Sequence, residues 1–479
     1  MNKKLFVVIS LIIISSYFYT DLCLGWSRTY GGSDADGAQC VRQTSDGGYI
    51  ITGWTISYGA GSYDIYLIKT DVNGDTVWTK TYGGTGWDYS YAVQQTTDGG
   101  YIIIARTESF GVGASDFWLL KTNSSGDTVW TKTYGGINNE NPGAGQQTSD
   151  GGYIVVGYTE SYGAGDFDIW LVKIDANGDT IWTKTYGGTE AESGHSIKQT
   201  NDGGYIIAGT THSFGPGNSN IWLIKTDSLG DSTWSKIYGG NSTDFAYQVR
   251  LTNDGGYIVV GNTYSFGAGD YDIWLLKTDS NGDTTWTKTL GGDSAEYGFA
   301  VQPVLPSGYI ITGSTRSYGS GGSDVWLIRT NSIGNINWDK TFGGGEYDEG
   351  RSVQQTADLG YIVTGNTSSF GAGNMDIWLL KTNITGLAIE ENIISPPLNF
   401  NYRINQLPNR NINLQFSLPE NSQVELGIYD AAGRYISTPF SGNYTKGEHQ
   451  INFRLDNNGI YFCNLKINGS IFSQKLVVF

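Results

Sequence analysis

The chain is predicted to be all-β, a closed ring of seven four-stranded blades (a β-propeller) followed by a small Ig-like β-sandwich. Three observations predict this. A tryptophan returns every 52 residues, at Trp26, Trp78, Trp130, Trp182, Trp234, Trp286 and Trp338, and a glycine pair follows five residues later, as in Trp78-Thr-Lys-Thr-Tyr-Gly-Gly84. The seven copies run without insertion over residues 26–389. A fixed period of this size marks one supersecondary unit that cannot bury its apolar face alone. Each period also holds four short apolar runs between Gly/Asp/Asn clusters, which is the content of one propeller blade.

The first 25 residues stand apart from the repeats. Lys3 and Lys4 precede a mostly apolar run from Leu5 to Ile14, and Gly25 lies just before the first repeat. This is the pattern of a secretory signal peptide, too short and wrongly flanked for a spanning helix. Cys23 does not read as a lipoprotein site, because Thr20-Asp21-Leu22 lacks the small residues such a site needs. No later stretch is long and apolar enough to cross a membrane, so no transmembrane segment is expected in the mature chain.

The unit around Trp182 shows how one repeat becomes one blade. Ser196-Ile-Lys-Gln-Thr200 is the type of strand a, Tyr153-Ile-Val-Val156 of strand b, Asp168-Ile-Trp-Leu-Val-Lys173 of strand c and Thr180-Ile-Trp-Thr-Lys-Thr185 of strand d. Asp150-Gly-Gly152 signals a tight a–b hairpin, and Asp175-Ala-Asn-Gly-Asp179 a tight c–d turn. The chain enters on a strand d and leaves the repeats on a strand c, Asp376–Lys381. Trp26–Tyr30 should therefore complete the last blade and remove the open edges. Thirteen tryptophans fall at the equivalent positions of strands c and d, where large aromatics serve as filler between blades. Only Trp54 and Trp87 fall outside these positions.

Composition agrees with this reading. Of 479 residues, 69 are glycine, 9 proline, 32 tyrosine and 15 tryptophan, which suits short strands and tight turns rather than a disordered glycine-rich tract. The net charge of −17 argues against nucleic acid as a partner. Cys40 and Cys463 remain in the mature chain, in different domains, so no disulfide framework is expected. His195, His212 and His449 do not cluster. Asp71-Val-Asn-Gly-Asp75 resembles the start of a calcium loop but lacks its glycine at position six and carboxylate at position twelve.

The apolar strand ending in glycine, then Asp-Ile-Trp, a turn and Trp, resembles the blades of kelch and galactose-oxidase-like propellers. The kelch glycine pair is here a single residue, as in Gly157-Tyr158, and no residue matches the copper chemistry of galactose oxidase. The motifs Trp-x-x-Thr-Tyr-Gly-Gly and Asp-Gly-Gly-Tyr resemble more closely the repeats of secreted bacterial propellers over residues 26–389. Such folds host unrelated functions, so neither likeness implies an activity. Residues 390–402, with Pro396-Pro397, are the expected linker.

Residues 403–479 resemble the type A C-terminal sorting domain of the type IX secretion system. The matching residues are Val424-Glu-Leu-Gly-Ile-Tyr-Asp430, Gly433-Arg434, Gly447, Gly459-Ile-Tyr-Phe462 and Lys475-Leu-Val-Val478. The alternation of Leu414, Phe416 and Leu418, and of Val424, Leu426 and Ile428, independently supports a small β-sandwich. The resemblance implies recognition by the type IX machinery, and a secreted or outer-membrane surface location on a Gram-negative bacterium.

Antiparallel strands put the a–b and c–d turns on one face of the ring and the b–c and d–a loops on the other. The second set is longer and more variable, which favours it as the functional face. Its d–a loops carry a carboxylate at one fixed position in every copy: Asp36, Asp88, Glu140, Glu192, Asp244, Glu296 and Asp348. In one reading each carboxylate accepts backbone N–H bonds and holds its loop. In the other the carboxylates ring the channel mouth as a sugar or cation site; no cofactor is expected, calcium being the ion such oxygens suit. Tyr58, Phe110, Tyr162, Phe214, Phe266, Tyr318 and Phe370 on the same face either stack on sugar rings or cap the blades.

Departures from the repeat point to one asymmetric site. Copy six replaces Asp-Gly-Gly by Pro306-Ser-Gly308, copy three carries Asn141-Pro-Gly, and Trp87 is an extra aromatic beside Asp88. The expected function is that of a monomeric, exported binding or surface propeller without catalysis, taking a glycan or a surface protein. The alternative is a glycoside hydrolase using two of the d–a carboxylates. Near-identical repeats argue against it, since acid and nucleophile need different environments. A third possibility is a structural spacer with no ligand.

Overall fold

The computed structural model describes residues 25–388 and, in the tail, 402–407, 410–418, 421–430, 435–455, 457–467 and 470–478. The expected leader up to residue 24, the linker up to residue 401 and the Gly433-Arg434 motif lie outside the described residues. Contacts divide the chain into two units, Met1–Ile389 and Glu390–Phe479.

The first unit is a ring of seven four-stranded antiparallel sheets. Blade 1 consists of Asp36–Gln43, Tyr49–Thr55, Asp64–Thr70 and Thr76–Tyr82 as strands a to d, and the later blades repeat it. Blades 2 to 7 begin at Asp88, Glu140, Glu192, Asp244, Glu296 and Asp348. The first strand, β1 (Trp26–Tyr30), completes blade 7 by pairing with its strand c, β28 (Asp376–Thr382). The ring is thus closed as the sequence predicts.

Strand a is longer than its sequence pattern suggests. It begins four residues earlier, at Glu192 rather than Ser196 in blade 4. The register slips at the same place in every blade, between Ala38 and Cys40 in blade 1 and between Gly194 and Ser196 in blade 4. A β-bulge puts two residues opposite one, so the two-residue alternation that reveals a strand is broken midway. The carboxylates assigned to d–a loops are therefore the first residues of strand a.

The apolar core lies between blades. Ile50, Ile65 and Leu67 of blade 1 pack with Val93, Tyr101, Ile103 and Trp118 of blade 2, while Ile51 and Ile68 pack with Ile362, Ile377 and Leu379 of blade 7. Alternate residues of strands b and c thus serve two neighbours, which is why these strands read as continuous apolar runs. The tryptophans of strand c are buried in these interfaces, as inter-blade filler.

A three-point clasp reinforces the outer rim. Each strand d tryptophan packs on the glycine of the next blade's c–d turn, Trp78 on Gly126 for example, where a Cβ would collide with the indole. Gly126 has φ of 79°, a left-handed conformation open to glycine. Tyr82 donates its hydroxyl to the Gly126 carbonyl, and Lys80 pairs with Asp127 at 2.9 Å.

In the tail, a three-stranded sheet comprises Tyr402–Leu407, Asn411–Leu418 and Gly447–Arg454. A four-stranded sheet comprises Tyr435–Tyr444, Ser422–Asp430, Gly459–Ile467 and Ser470–Val478. Ile412, Leu414 and Phe416 of the first share a core with Val424, Leu426, Cys463 and Leu465 of the second, a small β-sandwich. Cys40 and Cys463 are free and buried. Among the described residues no helix is long and apolar enough to cross a membrane.

Candidate functional site

The seven carboxylates at this repeat position do not form an open ring. Asp36, Asp88, Glu140, Glu192, Asp244, Glu296 and Asp348 each have 0 % exposure. Each accepts the N–H of the second glycine of its own loop, as Asp36 does from Gly32 at 2.7 Å and Glu140 from Gly136 at 2.7 Å. The shorter aspartates are reached by a serine hydroxyl of the b–c loop, as in Ser57 to Asp36 at 2.7 Å and Ser109 to Asp88 at 2.6 Å. The longer glutamates reach back to strand b, where Glu140 accepts from the Thr159 hydroxyl and the Ser161 N–H. Each carboxylate thus has at least one loop donor, while Oδ1 of Asp36, Asp88 and Asp348 is buried without a partner.

Sequence reasoning missed the partners of these groups. The first residue of strand c, Asp64, Asp116, Asp168, Asn220, Asp272, Asp324 or Asp376, is also buried and sits across the glycine pair from the next carboxylate. Asp64 and Asp88 flank Gly83, leaving no room for a Cβ there. Burial pushes Asp64, Asp116, Asp272, Asp324 and Asp376 above the usual carboxylate range; b–c loop N–H groups pull back, and the facing carboxylates add to the rise. The chemistry is that of loop pinning, with acceptors aimed at backbone donors.

The aromatics of the b–c loops lie on the blades. Tyr58 packs on Tyr66 at 5.4 Å between ring centroids, Phe110 on Trp118 at 5.0 Å and Tyr162 on Trp170 at 5.5 Å. They cover the strand c rings. In the c–d turn, Asp71 accepts the N–H groups of Asn73 and Asp75, folding back on its own loop.

The bulge builds the channel wall. It leaves one residue per blade without a strand b partner: Gln39, Tyr91, Gly143, His195, Tyr247, Phe299 and Arg351. These are half-buried and hold six residue types in seven blades, unlike the residues that hold the blades. Variation at one fixed register was the signal in the sequence that could have found them. His195 lies 6.1 Å from the Tyr247 ring, Tyr247 5.1 Å from Phe299, and the Arg351 guanidinium 4.3 Å over Phe299. Burial pushes the His195 imidazole down to about 4.

Three residues further along strand a a second ring reads Arg42, Gln94, Gln146, Lys198, Arg250, Gln302 and Gln354. Its glutamines link blades, as where Gln354 accepts the Gln43 N–H and Gln94 the Gln147 N–H, both at 2.9 Å.

One junction on the loop face is unlike the rest. Between blades 1 and 2, Trp54 meets Tyr63 at 5.1 Å, Tyr63 stacks on Tyr89 at 4.9 Å, and Trp87 sits edge-on to Tyr63 at 5.3 Å. The equivalent positions of the next junction hold Arg106, Ser115, Asn139 and Asn141, with no aromatic ring. Trp87 is 46 % exposed. Asp88, beside it in sequence, faces inward, so of the eight candidates only Trp87 presents a surface. A second aromatic arc, Phe245, Tyr264, Tyr271 and Tyr297, lies on blades 5 and 6. Among the described residues no group of three or more His, Cys, Asp or Glu is arranged to hold a metal ion.

Residues 408–479 match the family described as Secretion system C-terminal sorting domain. The Regulatory protein FlaEY of Caulobacter vibrioides is 24 % identical over 176 residues, covering 32 % of this chain; the chain spans 18 % of that protein's length. Among solved structures, the Neurospora crassa Pan2 WD40 domain is similar at 10 % identity and a TM-score of 0.45, covering 73 % of this chain and 91 % of that one. The β-propeller domain of the Trilobed protease from Pyrococcus furiosus is similar at 9 % identity and a TM-score of 0.42, covering 74 % and 97 %. A puromycin hydrolase is similar at 11 % identity and a TM-score of 0.48, covering 80 % of this chain and 58 % of that one. The tail is the delivery element expected from the sequence, and it marks the propeller for export by type IX secretion, to the medium or the cell surface.

Proposed function

We propose that this exported propeller is a non-catalytic binding module whose ligand is a glycan, seated on the loop face at the junction of blades 1 and 2. The aromatic platform of Trp54, Tyr63, Trp87 and Tyr89 carries the reading. Flat aromatic faces with polar tips suit the apolar faces and hydroxyls of sugar rings. Tyr89 stands on strand a, so the platform runs from the blade junction to the channel mouth. The seven carboxylates that a hydrolase reading would enlist are enclosed and already bonded to loop donors, which favours binding over cleavage.

The test is a binding screen of the full chain against soluble and insoluble polysaccharides, with reducing ends assayed in parallel. The expected result is saturable binding without release of sugar, lost in Trp87→Ala at unchanged melting temperature. Sugar release, or full binding by Trp87→Ala, overturns the proposal.

A further inference from the structure

The second channel ring carries a feature that the loop face does not explain. Four blades place glutamine there, and blades 1, 4 and 5 place Arg42, Lys198 and Arg250. Two of these blades adjoin and the third lies across the ring, so their charges act on one another across the axis. Burial pushes the Lys198 amine well below its ordinary range, and Arg250 and Arg42 push it further. Burial and Arg42 likewise bring Arg250 down to about 9.

Charge of this sign is usually answered elsewhere in the chain. Each strand c lysine from Lys69 to Lys277 pairs with an aspartate of its own a–b hairpin, as Lys69 does with Asp46 at 2.9 Å. Arg351, the cation of the bulge ring, pairs with Glu349 at 2.6 Å. Among the described residues Arg42, Lys198 and Arg250 have no carboxylate partner. Arg42 donates to the Val41 carbonyl at 2.6 Å and the Ser352 hydroxyl at 3.2 Å, Arg250 to the Val249 carbonyl at 3.0 Å, and Lys198 to Gln146 Oε1 at 3.2 Å. Most of the guanidinium and ammonium donors remain unused. These residues also cannot accept the inter-blade N–H bond that glutamine accepts at the same position. Three half-buried cations at one register of strand a, none with a carboxylate partner, in a chain of net charge −17, make a setting suited to an anion.

We propose that the axial channel holds one oxyanion group, a phosphate or sulfate, between Arg42, Lys198 and Arg250, with ring glutamine amides completing its shell. Guanidinium forks and an ammonium suit the several oxygens of such a group. The seat is separate from the aromatic platform, and the two stand or fall independently.

The repeat supplies its own control, since glutamine already occupies this position in four blades. Melting of the full chain is followed in phosphate, sulfate and chloride at one ionic strength, for the native chain, Lys198→Gln, Lys198→Gln/Arg250→Gln and Trp87→Ala. Phosphate and sulfate are expected to raise the melting temperature above chloride in the native chain and in Trp87→Ala. The shift should vanish in the double variant, with calorimetric affinity for phosphate reduced at least tenfold. The single variant gives the same readout should the double variant fold poorly. Equal melting in all three anions, or an unchanged shift in the glutamine variants, overturns the seat. A sulfated monosaccharide titrated alongside separates the sources: a shift matching sulfate identifies a group carried on a sugar, and its absence a free ion, both requiring the seat.

Discussion

Pro216 and Asn220 depart from the repeat together, and one explains the other. At the equivalent of Pro216, Ala60, Val112, Ala164, Ser320 and Ala372 donate their N–H to the first aspartate of strand c. Proline has no N–H to give. In blade 4 that aspartate is Asn220, which turns its amide to donate to the Phe214 carbonyl at 3.0 Å.

Asn220→Asp should therefore destabilise the ring by about 1–3 kcal/mol, the cost of a buried acceptor without its donor. Adding Pro216→Ala should recover much of that loss. A double-mutant cycle by urea denaturation reads the coupling. The new carboxylate should have a raised pKa like Asp64 and Asp116, so its penalty is absent at low pH and grows as pH rises through that value.

Glu140→Ala tests loop pinning. It strips the Gly136 and Ser161 N–H groups and the Thr159 hydroxyl of their buried acceptor. A loss of about 2–4 kcal/mol is expected from abandoned hydrogen bonds to a charged group. Denaturation at pH 7 measures it, and unaltered stability would return the carboxylate to the list of ligand groups.

His195 should stay neutral until about pH 4, which an NMR titration can follow directly. Its folded pKa lies below the unfolded value. The stability it contributes is complete above the unfolded value near 6.5 and is lost as pH falls toward 4. His195→Gln should remove that slope, leaving its melting temperature flatter than the native chain's between pH 6.5 and 4.

The rim clasp is incomplete at two adjoining seams. Leu290 and Phe342 stand where Tyr82 and its counterparts bond the next turn, and Asn335 and Leu387 replace the paired aspartate. Amide exchange should therefore be fastest at the seams flanking blade 6. Leu290→Tyr with Asn335→Asp should restore the hydroxyl bond to Gly334 and a pair with Lys288. The gain should be about 1 kcal/mol, most of it from the hydrogen bond since exposed ion pairs add little.

Architecture was legible because one pattern is written seven times: Trp26 to Trp338 fixed the blade count, and the odd strand at Trp26–Tyr30 announced the closure. The carboxylates were legible as a set but not in their direction. A bulge after Ala38 and its equivalents hides half of strand a, and so hides that Asp36 begins a strand and faces inward. The platform was half visible. Trp87 stood out as an exception, whereas Tyr63 and Tyr89 look ordinary until the b–c loop brings them beside it. Residues such as Arg42 and Lys198 are far apart in the chain and meet only across a closed axis, which no local pattern records.

The pairing of β1 with β28 joins segments about 350 residues apart, whereas the partners within each other blade are close in sequence. The entropy of closing so long a loop grows only with the logarithm of its length, so this seam is affordable in energy but late in time. Blades 1 to 6 can form as the chain emerges, while β1, made first, waits for strand c of blade 7. A chain cut short before blade 7 leaves Trp26–Tyr30 without its partner, an unpaired segment that proteases and chaperones can read. Closure thus doubles as an inspection step, passed only by a chain that carries both halves of its last blade.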